Sequence, residues 1–247
     1  MSGRKAYFLS DLHLGAPYFP DSREAERRAV AFLDSIKEDA GEVYLLGDIL
    51  DYWYEYRTVV PRGFVRFFGK LAELSDSGVK VTWLIGNHDI WIFDYLPSEL
   101  GIEVADGSIV REILGRRFEM AHGDGIGGNR RFRFLRSLFR NRFCQWLYGG
   151  IHPRWTVAFA QRWSRSSRES GCEVAPVASG LLGEIRRHCE ERNRDGAGID
   201  FFIFGHLHME VEEPLGSGGR LVVLGDWMSK SCYAVFDGSS FSLCHYR

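Results

Sequence analysis

Five short segments rich in metal-ligating side chains each close an apolar run of strand length, and this repeated pairing constrains the fold more than any other feature of the chain. The segments are Asp11-Leu12-His13, Gly47-Asp48-Ile49-Leu50-Asp51, Gly86-Asn87-His88-Asp89, His122-Gly123-Asp124 and Gly205-His206-Leu207-His208. The runs before them, residues 6–9, 43–46, 79–85, 118–121 and 201–204, read as strands. Parallel strands deliver their C-terminal loops to one edge of a sheet, so side chains nearly two hundred positions apart are expected to meet there.

The intervening sequence supports an α/β or α+β fold. Residues 21–40 carry a helical stripe (Ala25, Ala29, Phe32, Leu33, Ile36) with an Asp or Ser at the start and Gly41 at the end. Residues 62–77 repeat the pattern with Phe64, Phe67, Phe68, Leu71 and Leu74, closed by Gly78. The last quarter reads as hairpins, with strands at 209–213, 220–224, 232–236 and 241–246. Residues 129–194 break this rhythm with helical periodicity and are expected to form a cap inserted into a single domain spanning residues 1–247.

The average charge, −2, hides an asymmetry. Residues 129–168 contain ten arginines and no acid, interleaved with Phe, Trp and Leu, a pattern that suits an anionic ligand, a membrane surface or nucleic acid. No run approaches the ~18 apolar residues of a membrane span. The basic start is followed by an apolar run too short for a secretory signal. Five cysteines without a Cys-x-x-Cys pair read as reduced packing residues of a cytosolic protein.

Any one of the five motifs is ordinary, because a lone Asp-x-His or Gly-Asp is a common turn. All five at strand ends are not. Asp11 and His13 lie two apart and can chelate one ion, Asp48 has two oxygens with which to bridge a pair, and Asn87 offers a neutral oxygen. His206, His208 and His122 complete a set of oxygen and nitrogen donors suited to Mn, Fe, Zn or Mg.

In order and spacing the motifs resemble the calcineurin-like metallophosphoesterase superfamily over nearly the whole chain. The resemblance implies a two-sheet sandwich flanked by helices, holding two divalent metal ions at one edge. It implies one ion on Asp11, His13, Asp48 and His208 and the other on Asp48, Asn87, His122 and His206. It places Asn87 and His88 beside the substrate phosphate, with His88 catalytic. Asp89 reads either as the residue that orients His88 or as the cap of a following helix.

A narrower resemblance covers the cap as well. Gly-Asp-Ile-Leu-Asp-Tyr-Trp-Tyr-Glu-Tyr (47–56), Val-Val-Pro-Arg-Gly-Phe (59–64), Phe-Cys-Gln-Trp-Leu (143–147), His152-Pro153 and Trp-Ser-Arg-x-Ser-Arg (163–168) are similar to the UDP-2,3-diacylglucosamine pyrophosphohydrolases of lipid A synthesis. That family implies Mn²⁺, a lipid-linked nucleotide-sugar substrate, and a cytoplasmic enzyme peripheral on the cytoplasmic face of the inner membrane. By the same resemblance Ser164, Arg165, Ser167 and Arg168 are candidate substrate contacts, the arginines as bidentate phosphate ligands.

A nuclease or other phosphodiesterase of the same superfamily is the alternative, its arginines tracking a nucleic-acid backbone. The cap aromatics fall at helical spacing with Leu and Val, which suits an acyl pocket, and no nucleic-acid partner is expected. A scaffold role is weaker still, since all seven ligand positions are filled.

Overall fold

In the computed structural model, which describes residues 4–127, 136–169 and 174–247 (backbone only at 161, 163–169 and 174–177), all five motif-bearing runs are strands. They are β1 (Lys5–Leu9), β2 (Ala40–Leu45), β3 (Lys80–Leu84), β6 (Arg116–Ala121) and β7 (Phe201–Phe204). β4 (Glu103–Ala105) and β5 (Ile109–Ile113) precede β6, while β8 (Val211–Pro214), β9 (Arg220–Val223), β10 (Cys232–Phe236) and β11 (Phe241–His245) follow β7.

Two sheets result. One has the order β11-β10-β1-β2-β3-β4 and the other β5-β6-β7-β9-β8. β1 to β4 run parallel, as do β6, β7 and β9, and the antiparallel strands lie at the margins. The C-terminal hairpins do not form one continuous run. β8 pairs with β9 in the second sheet, whereas β10 and β11 extend the first beyond β1. Phe8, Tyr44, Leu46 and Leu84 from one sheet meet Phe118, Met120, Ile203 and Val222 from the other. With helices on the outer faces, this is the expected two-sheet sandwich.

α1 (Ser22–Ile36) and α2 (Val65–Asp76) cover the first sheet with the apolar stripes expected of them. Both are shorter than their periodicity suggested. α1 stops at Ile36 because β2 begins at Ala40, where Lys5 pairs with it. α2 starts late because Gly63 and Phe64 take φ of 116° and 60°, incompatible with a helix. No side chain of its own caps α2; Oε1 of Glu26, from α1, accepts from the N–H groups of Arg66 and Phe67. Buried Glu55 does the same for α3 (Tyr95–Leu100), accepting from the backbone of Phe93, Asp94 and Tyr95.

After a helical stretch at residues 136–140 come α4 (Arg142–Gly149), α5 (Pro153–Glu169) and α6 (Val174–Arg194), with the short α7 (Trp227–Lys230) near the end. The expected cap boundary at 194 is too late. Ile185 and Cys189 of α6 are fully buried against Phe202, Phe204, Leu221 and Val223, so the C-terminal half of α6 is the outer layer of the second sheet. Helical periodicity is the same on a cap and on a sheet, which is why the sequence did not separate them. α4 and α5 are held differently, by residues 52–56 in strand-like alternation. Trp53 and Glu55 are buried, Tyr52 and Tyr148 share a hydroxyl contact, Tyr54 donates to the Gln145 carbonyl, and the Tyr56 and Thr156 hydroxyls meet at 2.6 Å.

Candidate metal centre

The strand ends place the seven expected ligands in two groups at one edge. Ligand atoms of Asp11, His13 and His208 lie within 4.8 Å of one another, and so do those of Asp48, His122 and His206. The seventh residue, Asn87, brings its Oδ1 to 3.2 Å from His122 Nε2. In the first group His208 Nε2 is 3.4 Å and His13 Nε2 3.7 Å from Asp11 Oδ1. Asp48 Oδ2 faces both groups, 3.8 Å from His13 Nε2 and 3.3 Å from His122 Nε2. Its other oxygen accepts from the His88 N–H at 2.8 Å.

Neighbouring groups fix how each ligand faces. The Leu46 carbonyl is 2.8 Å from His122 Nδ1, so that nitrogen carries the proton and Nε2 turns inward. The Asp51 carboxylate does this for His13, at 3.2 Å from Nδ1. Asp11 Oδ2 accepts from the Ser10 hydroxyl and the His206 N–H, leaving Oδ1 for the site. Asp11 Oδ1 and His13 Nε2 are fully buried yet have no hydrogen-bond partner. Two buried orphans of this kind, among Asp, Asn and His donors only, fit a divalent cation.

The backbone is bent to the same end. Asp11, His13, Asp48, His206 and His208 all have positive φ, between 44° and 69°. Ordinary residues in that region are strained, and such strain gathers at functional sites. Close backbone approach explains the glycines. A Cβ at Gly86 would strike the Asp48 carboxylate, and one at Gly205 would strike the Ser10 hydroxyl and come within 2.7 Å of Asp11 Oδ2.

Charge is concentrated here. Burial alone would raise the Asp11 and Asp48 carboxyls, but the surrounding histidines hold both well below the ordinary range. Burial opposes protonation of His13, yet Asp11 and Asp51 outweigh it and lift the ring to about 9. His122 is likewise raised well above its ordinary value, against burial, by Asp48. His206 is pushed down to about 4 by burial and by the nearby His122. The cluster is built to hold positive charge.

His88 lies at the rim, partly exposed, with Nδ1 3.1 Å from the Asp51 carbonyl. Asp89 makes neither of its two expected contacts. Fully buried, it accepts from the N–H groups of Ile49 and Gly86 and from Trp83 Nε1, and it tethers the loop after β2 to the loop after β3. No helix starts behind it. Burial, with the charge of Asp48, pushes its carboxyl up to about 6. The residue that orients His88 is Asp51, whose carboxylate is also 3.5 Å from the same Nδ1. Asp51 was visible in the motif Gly-Asp-x-x-Asp, but spacing alone could not show which ring it reaches. Ser164, Arg165, Ser167 and Arg168 fall on α5, where their side chains lie outside the described residues.

The sequence model of the calcineurin-like phosphoesterases matches residues 4–210, most of the chain and all of this edge. The chain belongs to that family. This phosphoesterase is 42% identical to the UDP-2,3-diacylglucosamine hydrolase of Porphyromonas gingivalis, over 97% of this chain and 96% of that protein. It is 29% identical to the enzyme of the same name from Ralstonia nicotianae, over 90% and 83% of the two chains. The phosphoesterase is a metal-dependent hydrolase, and its ligand groups answer the divalent-metal requirement.

Proposed function

We propose that this phosphoesterase hydrolyses the pyrophosphate of UDP-2,3-diacylglucosamine, releasing UMP and 2,3-diacylglucosamine 1-phosphate for lipid A synthesis. The observation that carries the reading is the 42% identity to a hydrolase of that name, which runs end to end and so includes the cap.

In this reading Asp11, His13, Asp48 and His208 hold one cation, and Asp48, Asn87, His122 and His206 hold the other. Mn²⁺ is the metal proposed, because carboxylate, amide and imidazole donors without thiolate suit it. Bound divalent cations supply Lewis acidity, which makes hydroxide available near neutral pH and neutralises phosphoryl charge. The chain's own residues do the rest. Asp51 fixes the rings of His13 and His88 from two sides. With Nδ1 engaged, His88 presents Nε2 at the rim, where as imidazolium it donates to a phosphoryl oxygen or protonates the leaving oxygen. Asp89 keeps the Asp48 and Asn87 loops in register from beneath.

Residues from 136 through α5 form the cap in this reading, and its surface supports a lipid substrate. Phe143, Trp146, Leu147 and Trp155 are each more than half exposed. Trp146 and Leu147 also line a cavity of about 440 Å³ with Tyr54 and Tyr56. Across residues 52–56 a second cavity of about 420 Å³ borders the metal edge at Asp51 and carries Arg23, Arg62 and Arg66, which suits the polar, anionic half of the substrate. Exposed aromatics beside Arg142 and Arg154 also suit peripheral attachment to the cytoplasmic face of an anionic inner membrane. The test is incubation of the purified protein with Mn²⁺ and UDP-2,3-diacylglucosamine. UMP is the expected product, and hydrolysis of a small artificial phosphodiester without any UMP release would defeat the substrate assignment.

A further inference from the structure

Among the described residues, few buried side-chain polar atoms lack a hydrogen-bond partner, and two of these are the metal-facing Asp11 Oδ1 and His13 Nε2. Two more belong to a single side chain outside the ligand set: Nε and Nη2 of Arg140. Its remaining nitrogen, Nη1, pairs with Asp106.

Three ties place this guanidinium at the metal edge. Asp106 directly follows β4, whose Ala105 carbonyl accepts from the Ile85 N–H, one residue before Gly86-Asn87. The Phe139 carbonyl accepts from Trp91 Nε1 at 2.9 Å, joining the helical turn at 136–140 to the segment that follows Asn87-His88-Asp89. On the other side Arg136 Nε reaches Asp124 Oδ2 at 2.8 Å, two residues past His122. The turn therefore spans the loops that carry Asn87 and His122. Burial lowers the pKa of Arg140, and the Asp89 carboxylate is the charge acting against this, so the guanidinium lies within reach of that field. It remains a cation.

The Arg140 side chain is only partly exposed, and a guanidinium with two buried nitrogens unanswered is costly unless an anion completes it. A purely structural arginine would spend those donors on carbonyls or carboxylates. We propose that Arg140 is a substrate-binding residue that receives an anionic phosphoryl oxygen on the Asn87 side of the metal edge. This rests on the phosphoester reading above and adds to it a cationic contact independent of the metals and of His88. Nε and Nη2 present the planar fork that grips two oxygens of one phosphate.

Calorimetric titration of inorganic phosphate into the Mn²⁺-loaded protein, with metal content measured alongside, tests the assignment without any lipid. A failure of the lipid reading therefore leaves the comparison intact. Arg140→Gln should weaken phosphate binding by about 10- to 100-fold, the value of a charge-assisted contact, at unchanged metal content. Asp106→Asn removes the ion pair but keeps both open donors, so its phosphate affinity should stay within about threefold of wild type. Equal phosphate affinity in Arg140→Gln and wild type overturns the proposal. So does loss of metal from Arg140→Gln, or an Asp106→Asn defect as large as that of Arg140→Gln, because either makes Arg140 a support for the Asn87 loop.

Discussion

Cation binding at this edge should expel protons. In the cation-free protein Asp11 and Asp51 lift His13 to about 9, so its ring is protonated at pH 7; Asp48 shifts His122 in the same direction, whereas burial and His122 push His206 down to about 4 and leave it neutral. The inward Nε2 atoms must be bare to ligate, so loading at pH 7 should release the His13 proton, with the upward shift of His122 adding to the release. The logarithm of the apparent affinity should then climb with pH near 7, and the climb should ease above about pH 9 as His13 loses its proton unaided. Stability of the cation-free protein follows from the same shift. The folded pKa of His13 exceeds the unfolded 6.5, so its contribution is complete below pH 6.5 and is lost as pH rises through about 9. The difference is worth roughly 3 kcal/mol. The Mn²⁺-loaded protein should lack this loss. Titration calorimetry with Mn²⁺ in two buffers of different ionisation enthalpy counts the protons directly. A count near zero at pH 7 would refute the charge balance described for this cluster.

Asp48 alone faces both ligand groups, so Asp48→Ala should lose both metals and nearly all activity; two equivalents of metal retained by the purified variant would rule out the bridge. His88→Ala should keep its metal while kcat falls by roughly 10²–10⁴, and loss of one equivalent would make His88 a ligand. Trp146, 71% exposed, is a clean probe of lipid recognition, whereas Phe139 packs on Trp91 at 5.7 Å and its loss would disturb the cap. Trp146→Glu should therefore raise KM for the diacylated substrate well above its effect on a small phosphodiester, and equal effects on both would count against an acyl contact. Arg62→Glu with Arg66→Glu should weaken competitive inhibition of diester hydrolysis by UMP by about tenfold; unchanged inhibition would move the nucleotide out of that cavity.

The parts of this molecule that were legible in the sequence share one property: the physical cause is local. Apolar runs that end in short ligand-bearing turns mark strands and their edge together, so the convergence of the seven candidate ligands could be read before any coordinates, while the two-sheet sandwich was implied by the family resemblance those turns carry. What was not legible depends on partners far away in the chain. Glu26 and Glu55 look like surface acids until the helix starts they cap are brought to them. Asp89 sits next to His88 in sequence yet bonds across to Ile49 and Trp83. The tyrosines at 52, 54 and 56 alternate with Trp53 and Glu55 as a strand would, but only the position of α4 and α5 shows why the outer face is phenolic.

The positive φ angles at Asp11, His13, Asp48, His206 and His208 have a consequence for how this protein can change. The left-handed region costs an ordinary residue about 1–2 kcal/mol, and glycine would relieve it at every one of these positions. A search that rewarded only thermal endurance would therefore be drawn first to the positions that hold the metals, and it would arrive at a hardier, inert sandwich. The ligands persist against a standing conformational gradient, and only selection for turnover opposes it.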